Sequence, residues 1–308
     1  MGQKSIVMTG ATGYIGSHLL RKLVRGGWNI SVIVRPESNR EHVNKLGNNV
    51  HVITYDYSLP TLVNELRAIN PLLVVHIASN YVASHTIDDV DSLVQGNLLY
   101  STHLLQAMLE SGINKFVNTS SFTQHVKDSS YQPLSLYAAT KQAFESIIEY
   151  YAQQRNFQVV TLELFDTYGP ADSRSKFLNI LLRAYQQDIE LSSSLGYQKL
   201  DLVYIDDVIS AYILAIELLI KESISGHKKF AVSSGNMYSL RDIVKMVEHL
   251  LDRSINIKWG ARPYREHEIM EPWNQRDVLP NWRPYVSLDE GISRVMIGLG
   301  IDVKGLRK

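Results

Sequence analysis

Residues 9–16 read Thr9-Gly10-Ala11-Thr12-Gly13-Tyr14-Ile15-Gly16 and stand between a β-branched run at 5–9 and an amphipathic stretch at 15–25. In such a loop the first glycine permits a tight turn, the second lets the backbone approach a pyrophosphate, and the third lets helix and strand pack closely. The N-terminus of the following helix offers unpaired N–H groups to phosphate. The loop therefore predicts dinucleotide binding by Gly10, Thr12, Gly13, Tyr14, Ile15 and Gly16.

Outward from the loop, the first two-thirds of the chain alternates short apolar runs with amphipathic stretches. Strands are predicted at 5–9, 30–34, 50–54, 72–77, 115–119 and 158–162, and helices at 15–25, 62–69, 90–110, 138–154, 177–185 and 207–220. Asp206 or Asp207 is the expected N-cap of the last helix. This alternation predicts an α/β fold with a doubly wound parallel sheet. We expect a dinucleotide-binding domain at 1–165 plus about 200–230, and a smaller C-terminal α/β substrate lobe at about 166–199 and 231–308.

The composition limits the function classes that the chain can belong to. Lys and Arg total 31, Asp and Glu total 31, and the formal net charge of the 308 residues is zero. This balance argues against a nucleic-acid partner and against a membrane anchor. The chain has no cysteine, which removes disulfides, thiolate metal sites and cysteine nucleophiles. With 45% hydrophobic and 20% charged residues, and no apolar run of membrane-spanning length, we expect a globular cytoplasmic protein.

The end of the second predicted strand bears on which dinucleotide binds. An NAD site usually presents Asp or Glu there, to hydrogen-bond the ribose 2′-hydroxyl. This sequence has Arg35 at that place, Arg40 close behind, and no carboxylate before Glu37. An arginine suits a 2′-phosphate, because its guanidinium can form two parallel hydrogen bonds with it. We therefore favour NADP(H) as the cofactor, bound in part by Arg35, over NAD(H).

A tyrosine and a lysine four residues apart, Tyr137 and Lys141, stand at the start of the predicted helix 138–154. On a helix, side chains at this spacing share one face. A nearby ammonium stabilises a phenolate, so Lys141 is expected to lower the pKa of Tyr137. Ser121 follows the fifth predicted strand, at the sheet edge where ligands bind in such folds. Together with the glycine loop, these residues predict a catalytic set of Ser121, Tyr137 and Lys141.

The chain resembles the extended short-chain dehydrogenases/reductases that act on nucleotide sugars. The motifs that carry the resemblance are residues 9–16, residues 76–79, Asn97, Ser121, the Tyr137/Lys141 pair, Tyr168-Gly169-Pro170, residues 203–208 and Arg262-Pro263. They run through nearly the whole chain. The resemblance implies a Rossmann-type sheet that holds the dinucleotide and a C-terminal lobe that holds the nucleotide sugar.

The resemblance also implies roles for single residues. Asp56, Ala78 and Lys141 are expected to contact the cofactor. Ser79, Asp166, Lys176 and Arg262 are expected to contact the nucleotide sugar, with Arg174 as a further source of positive charge for phosphate. Members of the family commonly dimerise through two long helices, which correspond to 90–110 and 138–154, so we expect a homodimer.

Within the family, the residues beside the shared serine distinguish the reactions. A 4,6-dehydratase has an acidic pair directly after the catalytic Ser or Thr, where this chain has Phe122 and Thr123. An enzyme that inverts C3 and C5 uses a cysteine, which this chain lacks. Residues 118–141, 165–170 and 264–270 resemble CDP-abequose and CDP-paratose synthases. We therefore expect NADPH-dependent reduction of the C4 keto group of a nucleotide-activated 4-keto-6-deoxy or 3,6-dideoxy hexose, in deoxysugar (O-antigen) biosynthesis.

Two alternatives stay open at this point. The first is an NAD-dependent nucleotide-sugar 4-epimerase, which needs no additional base. The second is a regulator that senses NADP on the same fold, although such a protein would often lose Tyr137 or Lys141. The histidines show no metal-ligand spacing, so we expect no metal, and His76 is expected to pack near the cofactor. Asp166 and Leu200 depart from the family pattern and leave the nucleotide open among CDP, dTDP, GDP and UDP.

Overall fold

The computed structural model describes residues 4–128, 130–273 and 275–304. The strands are β1 (Ser5–Thr9), β2 (Asn29–Val34), β3 (Val50–Thr54), β4 (Leu73–His76), β5 (Lys115–Ser121), β6 (Gln158–Leu164), β7 (Asp166–Tyr168), β8 (Leu191–Ser192), β9 (Lys199–Leu200), β10 (Leu202–Tyr204), β11 (His227–Val232), β12 (Tyr238–Ser239) and β13 (Ile257–Lys258). The helices are α1 (Tyr14–Arg25), α2 (Glu41–Asn44), α3 (Leu59–Ile69), α4 (Val90–Val94), α5 (Tyr100–Glu110), α6 (Leu136–Gln154), α7 (Phe177–Gln186), α8 (Ile205–Ile220), α9 (Leu240–Leu251) and α10 (Leu288–Gly298). A π-helical turn, Gln95–Leu99, joins α4 to α5, and a 3-10 turn, Phe122–Gln124, follows β5.

Seven parallel strands form the central sheet in the order β11-β6-β5-β4-β1-β2-β3. The order reverses between β1 and β4, which is the place where ligands bind in doubly wound sheets. The register pairs Thr9 with His76 and His76 with Asn118, so the carboxyl ends of β1, β4 and β5 meet at one edge. The predicted Rossmann-type doubly wound sheet is confirmed.

Apolar residues cover both faces of the sheet, as the continuous apolar strands require. In β1, Ile6 and Met8 point into one core with Leu20 of α1, whereas Val7 points into a second core with Phe144 of α6. This alternation follows from the two-residue period of a strand. Because helices cover both faces of the sheet, a ligand can reach its strands at the carboxyl edge.

Several element boundaries differ from the sequence predictions. The predicted helix 90–110 contains the π-helical turn, and α6 begins two residues before the predicted start, with Ser135 as its N-cap. Helix α8 begins at Ile205 after Tyr204, so the predicted N-cap at Asp206 or Asp207 is wrong. The carboxylate of Asp207 instead accepts hydrogen bonds from the N–H groups of residues 285 and 286, each at 3.2 Å.

The C-terminal third contains regular structure that the sequence did not predict. Helices α9 and α10 form there, and two-residue strands pair as β12 with β9 and β13 with β8. Strand β11 joins the edge of the central sheet beside β6. The predicted domain boundaries stay a prediction, and residues 1–3 of the first domain lie outside the described residues. Among the described helices, none has the length and apolar character needed to span a membrane.

Candidate active site

Two of the three loop glycines are required by the geometry of the loop itself. Gly10 has a φ of +72°, and a Cβ there would lie 2.5 Å from the backbone nitrogen of Ala78. A Cβ on Gly16 would lie 2.1 Å from the carbonyl oxygen of Gly10. Gly13 is exposed, and the nearest atom to a Cβ there is 3.4 Å away. Gly10 and Gly16 therefore permit close packing, whereas Gly13 leaves space beside the N-terminus of α1.

An open cleft of about 420 Å³ lies over the glycine loop. Its lining consists of Thr12, Gly13, Tyr14, Ser17, His42, Ala171, Ser173 and Arg174. The N-cap of α1 is Gly13, which gives the helix no side-chain cap, so the first N–H groups remain available to an anion. The space at Gly13 and this helix terminus fit the pyrophosphate of a dinucleotide.

Arg174 brings a cation to this cleft from the loop after β7. Its guanidinium donates hydrogen bonds to both carboxylate oxygens of Asp172, each at 2.8 Å, and a third to the carbonyl oxygen of Thr167 at 2.9 Å. The guanidinium carbon lies 4.6 Å from the centroid of the Tyr14 ring. The arginine is therefore held rigidly at the wall of the cleft.

Four cleft residues were not predicted from the sequence, namely Ser17, His42, Ala171 and Ser173. Ser17 donates a hydrogen bond from its hydroxyl to the carbonyl oxygen of Tyr14, at 2.9 Å. His42 Nε2 lies 2.9 Å from the carbonyl oxygen of Ala11. His42 is distant from the loop in sequence and reaches it only through the fold, so no local motif indicates it.

We expect Gly13→Ala to fold normally and to raise the Kd for NADPH at least about tenfold, or about 1.4 kcal/mol. The added methyl group has room in the protein but occupies space at the helix terminus where the phosphates would lie. Fluorescence titration gives the Kd, and thermal unfolding checks the fold. Gly16→Ala is the contrast, because its Cβ would meet Gly10 and lower Tm. A Gly13→Ala variant that binds NADPH like the wild type would contradict the role of the loop.

Two further predicted cofactor residues stand at the carboxyl edge of the sheet. Arg35 follows β2, is exposed, and has its Nε 3.1 Å from the carboxylate of Glu37. Asp56 follows β3, and its carboxylate accepts hydrogen bonds from the N–H of Ser58 and the hydroxyl of Thr61. Their position suits a dinucleotide that crosses this edge. Their role in binding stays a prediction.

The loop after β4 is held to β1 by a buried hydrogen-bond chain. The N–H of Ala78 donates to Thr9 Oγ1 at 3.1 Å, Thr9 Oγ1 lies 2.7 Å from His76 Nδ1, and His76 Nε2 lies 2.9 Å from Ser101 Oγ. Burial lowers the pKa of His76 to about 3, so the imidazole is neutral.

Ile15, a further predicted cofactor residue, is partly buried in the first turn of α1.

Metal binding has no site of the usual kind in this part of the protein. Within residues 4–128, 130–273 and 275–304, no group of three or more His, Cys, Asp or Glu side chains is placed to hold a metal ion. Both ring nitrogens of His76 are hydrogen-bonded to hydroxyl groups of the protein. Its function in the structure is to support the glycine loop.

Helix α6 places Tyr137 and Lys141 one turn apart. The Ser135 hydroxyl caps the helix by accepting a hydrogen bond from the N–H of Ala138 at 3.3 Å. Tyr137 is 8% exposed and Lys141 is 3% exposed. Both side chains are therefore desolvated, which makes their protonation sensitive to neighbouring charges.

Asn97 ties the first turn of α6 to the loop after β4. Its Oδ1 accepts hydrogen bonds from the N–H of Asn80 at 2.7 Å and the hydroxyl of Ser79 at 3.2 Å, and its Nδ2 donates to the Thr140 hydroxyl at 3.1 Å. It lies in the π-helical turn, a feature often found at functional sites. The sequence marks Asn97 only through the family resemblance, and its contacts depend on this turn.

The phenol of Tyr137 lies among residues predicted to bind the sugar. Its ring meets that of Tyr81 edge-on, with the centroids 4.9 Å apart, and its hydroxyl faces the hydroxyl of Ser79. Lys176 Nζ lies 5.7 Å from the Tyr81 ring centroid and 2.6 Å from the Asp166 carboxylate. The fold thus brings Ser79, Asp166 and Lys176 together beside Tyr137.

Arg262, the fourth residue predicted to bind the sugar, is placed differently. It follows β13 and is exposed, and its N–H donates a hydrogen bond to the carbonyl oxygen of Ser193 at 3.1 Å. Among the described residues, none of its contacts is with Ser79, Asp166 or Lys176. Its role at the sugar stays a prediction.

The protonation of Tyr137 and Lys141 differs from what the sequence predicted. Burial raises the pKa of Tyr137, and the Ser79 hydroxyl and the Lys176 ammonium oppose this only in part. The expectation that Lys141 lowers this pKa is therefore wrong for the ligand-free chain, because the cation that acts on the phenol is Lys176. Burial lowers the pKa of Lys141 to about 8, against the opposing effect of Glu145. Tyr137 thus keeps its proton at neutral pH and can donate it.

Ser121 is the last residue of β5 and begins the 3-10 turn. Its Oγ lies 2.9 Å from Thr123 Oγ1 and accepts a hydrogen bond from the N–H of Thr123 at 3.4 Å. The next side chain, Phe122, stacks on Phe165 with the ring centroids 4.9 Å apart. In the described part of the chain, no hydrogen bond joins Ser121 to Tyr137. A substrate oxygen between the two hydroxyls is what their predicted roles require.

Comparison with known proteins gives similarities along nearly the whole chain. The sequence profile of the NAD dependent epimerase/dehydratase family matches residues 6–224. CDP-abequose synthase of Salmonella muenchen is 27% identical over 297 residues, covering 95% of this chain and 97% of that protein. CDP-abequose synthase of Yersinia pseudotuberculosis is 26% identical over 271 residues, covering 87% and 91%. The structure of UDP-glucuronic acid 4-epimerase from Bacillus cereus with UDP-glucuronic acid and NAD has a TM-score of 0.83, 24% identity and coverage of 96% and 99%.

Proposed function

The chain belongs to the NAD dependent epimerase/dehydratase family and is an enzyme of the NAD(P)-dependent oxidoreductase type, and from this premise we propose that it reduces the C4 keto group of a nucleotide-activated 4-keto-6-deoxy or 3,6-dideoxy hexose with NADPH. The similarity to CDP-abequose synthases over nearly the full chain supports a role in deoxysugar biosynthesis. Membership in this enzyme family argues against a regulator without catalysis.

The observation that carries the proposal is the chemistry around Ser121. The two positions after it hold Phe122, which is stacked on Phe165, and Thr123, which is bonded to Ser121. Neither side chain can take up or release a proton at neutral pH, as a dehydratase would need. The proton donor that we assign to the reaction is the protonated phenol of Tyr137. A single proton donor suffices for reduction of a ketone to an alcohol.

Each residue of the proposed site has a distinct role in this reduction. When bound, the nicotinamide supplies the hydride that reduces the ketone. Ser121 and Tyr137 hydrogen-bond the C4 oxygen, and Tyr137 gives its proton as negative charge develops there. Lys141 binds the nicotinamide ribose, and the positive charge of Lys176, which acts on the phenol, favours the phenolate that remains. Ser79, Lys176 and Asp166 contact the nucleotide sugar beside the phenol.

The first experiment offers the protein NADPH together with CDP-, dTDP- and GDP-4-keto-6-deoxy sugars. Loss of nicotinamide absorbance reports reduction, and NMR identifies the sugar product. We expect NADPH to be consumed with at least one of these substrates and the C4 carbonyl to become a hydroxyl. Binding of NADPH without consumption across the whole panel would overturn the proposal.

Cofactor preference is the second test, because Arg35 is proposed to bind the 2′-phosphate. We expect Arg35→Ala to raise the Kd for NADPH about 10–100-fold, the range of a charged hydrogen bond, and to leave the Kd for NADH unchanged. Titrations with both cofactors measure the two values. Arg25→Ala, at the exposed end of α1, is the matched control and should change neither Kd. Equal loss of NADPH and NADH affinity in Arg35→Ala would contradict the assignment.

A nucleotide-sugar 4-epimerase with bound NAD is the second candidate. The contact between Arg35 and Glu37 favours it, because the carboxylate offsets the positive charge that would attract a 2′-phosphate. The two candidates differ in stoichiometry. An epimerase inverts its sugar with NAD and consumes no NADPH, so a change of configuration without net oxidation or reduction would select this candidate.

We also propose a homodimer built on the helices around α5 and α6. Large apolar side chains are exposed there at Val90, Val94, Leu99 and Tyr150. Exposed apolar side chains grouped on adjacent helices are typical of a protein interface. Sedimentation of the purified protein measures the mass in solution and decides between monomer and dimer.

A further inference from the structure

A buried carboxylate lies one helical turn after Lys141 on α6. Glu145 is 2% exposed, and the spacing of four residues puts it on the same face of the helix as Lys141. A carboxylate without water needs charged or hydrogen-bonding partners. Its Oε2 lies 2.7 Å from Lys229 Nζ, and its Oε1 accepts hydrogen bonds from Gln124 Nε2, at 3.1 Å, and from the Ser120 hydroxyl.

Gln124 connects this carboxylate to the Ser121 turn. Its Oε1 accepts a hydrogen bond from the N–H of Ser121 at 3.3 Å and shares the single proton of the Ser120 hydroxyl with Glu145 Oε1. Its Nε2 donates to Glu145 and also to Gln142 Oε1 at 2.9 Å. Gln124 is fully buried, and it occupies the third position of the 3-10 turn that Ser121 caps. The position of the Ser121 backbone therefore depends on Glu145 through the Gln124 side chain and through the neighbouring Ser120 hydroxyl.

The charge of Glu145 reaches Lys141 through a dry interior. The titratable and charged groups that face Glu145 are Lys141 on α6, His227 and Lys229 on β11, Glu163 on β6 and His125 after the 3-10 turn, and Arg276 of the C-terminal segment pairs with Glu163. Burial lowers the pKa of both histidines, so they are neutral above pH 7. Burial raises the pKa of Glu163 to about 7, although Arg276 lies 2.8 Å away. The two histidines are therefore already neutral where Lys141 loses its proton, and Glu163 titrates about one pH unit below Lys141.

We propose that Glu145 is a positioning residue of the active site, which fixes the Ser121 turn through Gln124 and keeps the ammonium of Lys141 charged. The inference rests on the proposed function, because it requires that Ser121 and Lys141 have the catalytic and cofactor-binding roles proposed above. It adds a residue that touches neither substrate nor cofactor. Two separate consequences follow, one for geometry and one for charge.

The charge consequence is tested with Glu145→Gln, which keeps the shape of the side chain and removes its charge. We expect the alkaline limb of the kcat/KM profile, and the alkaline loss of NADPH affinity, to move to lower pH by about half to one unit. Glu145→Asp should restore the limb. Glu149→Gln is the matched control, because Glu149 lies one turn further along α6 and pairs with His227 at 2.8 Å. An unmoved alkaline limb in Glu145→Gln would overturn the charge role.

The geometric consequence is tested with Gln124→Met, which removes the hydrogen bonds of the Gln124 amide and leaves Glu145 with Lys229 and the Ser120 hydroxyl. We expect kcat to fall about tenfold while the alkaline limb stays at the wild-type pH. Wild-type kcat in Gln124→Met would overturn the geometric role, and this variant also decides if Glu145→Gln fails to fold. The NADPH titrations need no sugar substrate, so they test Lys141 even if the proposed reaction is wrong. If the proposed reaction is wrong, the wild type reduces none of the sugar nucleotides in the panel. The pH shift of NADPH affinity in Glu145→Gln is still observed.

Discussion

Replacing Tyr137 with phenylalanine is expected to lower kcat by about 10²–10⁴ and to leave the fold and the Kd for NADPH unchanged. The change removes only the phenolic oxygen, so the edge-on contact with Tyr81 persists. The expected loss is large because burial raises the pKa of Tyr137, so this phenol keeps its proton at neutral pH beside the residues that we propose to bind the sugar. Steady-state kinetics with the best substrate of the panel measure kcat, and fluorescence titration measures the Kd.

Tyr151→Phe is the matched control for this prediction. Tyr151 is also buried on α6, about 21 Å further along the helix axis, and its hydroxyl donates a hydrogen bond to Gln106 Oε1 at 2.7 Å. Its loss should cost about 1 kcal/mol of stability and no turnover. Undiminished kcat in Tyr137→Phe would remove the phenol from the mechanism. A fall in kcat of similar size in both variants would point to a general effect of disturbing α6.

The parts of the fold that the sequence predicted are those with strong local signals. The glycine loop of residues 9–16 fixes where β1 ends and α1 begins, and the apolar runs of β2 and β3 are bounded by polar residues. Because parallel strands end at one sheet edge, the positions of Ser121 and Arg35 at that edge followed from the strand pattern alone. Local sequence was sufficient wherever a single element decided the position.

The parts that the sequence did not predict depend on contacts between distant elements. Asp207 is a good N-cap residue, but its carboxylate binds backbone N–H groups of residues 285 and 286, and α8 begins before it. The π-helical turn has no local marker, and it is needed to aim Asn97 at Ser79 and Thr140. Neither outcome can be read from the residues next to it in the sequence.

The same reason explains the error at the catalytic pair. A spacing of four residues predicts that Lys141 acts on Tyr137, and it says nothing about Lys176. In the fold, the loop after β7 brings Lys176 against Tyr81 and the phenol, and Lys141 is left beside Glu145. Helix periodicity states which side chains share a face, whereas the electrostatics of the site depend on what packs against that face.

His76 gives the second large effect, which concerns stability and not turnover. The imidazole is fully buried at the end of β4, between Thr9 and Ser101, and burial lowers its pKa from 6.5 to about 3. In the unfolded chain the ring takes up a proton below its ordinary pKa, whereas in the native state it stays neutral down to about pH 3. The stability that His76 contributes is therefore complete above pH 6.5 and is lost as the pH falls from 6.5 towards 3.

We expect the free energy of unfolding to fall by about 1.4 kcal/mol per pH unit from His76 alone within this window, and not to depend on this residue above it. His76→Asn should remove that part of the slope, and denaturant unfolding at a series of pH values measures the difference. Other buried histidines add their own slopes, so the wild type and the variant must be compared directly. His51→Asn, at an exposed position on β3, should keep the wild-type slope. Equal slopes in His76→Asn and the wild type would refute the prediction. It would also be refuted by an NMR titration in which His76 of the native wild type takes up its proton near pH 6.5. The NMR titration decides the question if the variant does not fold.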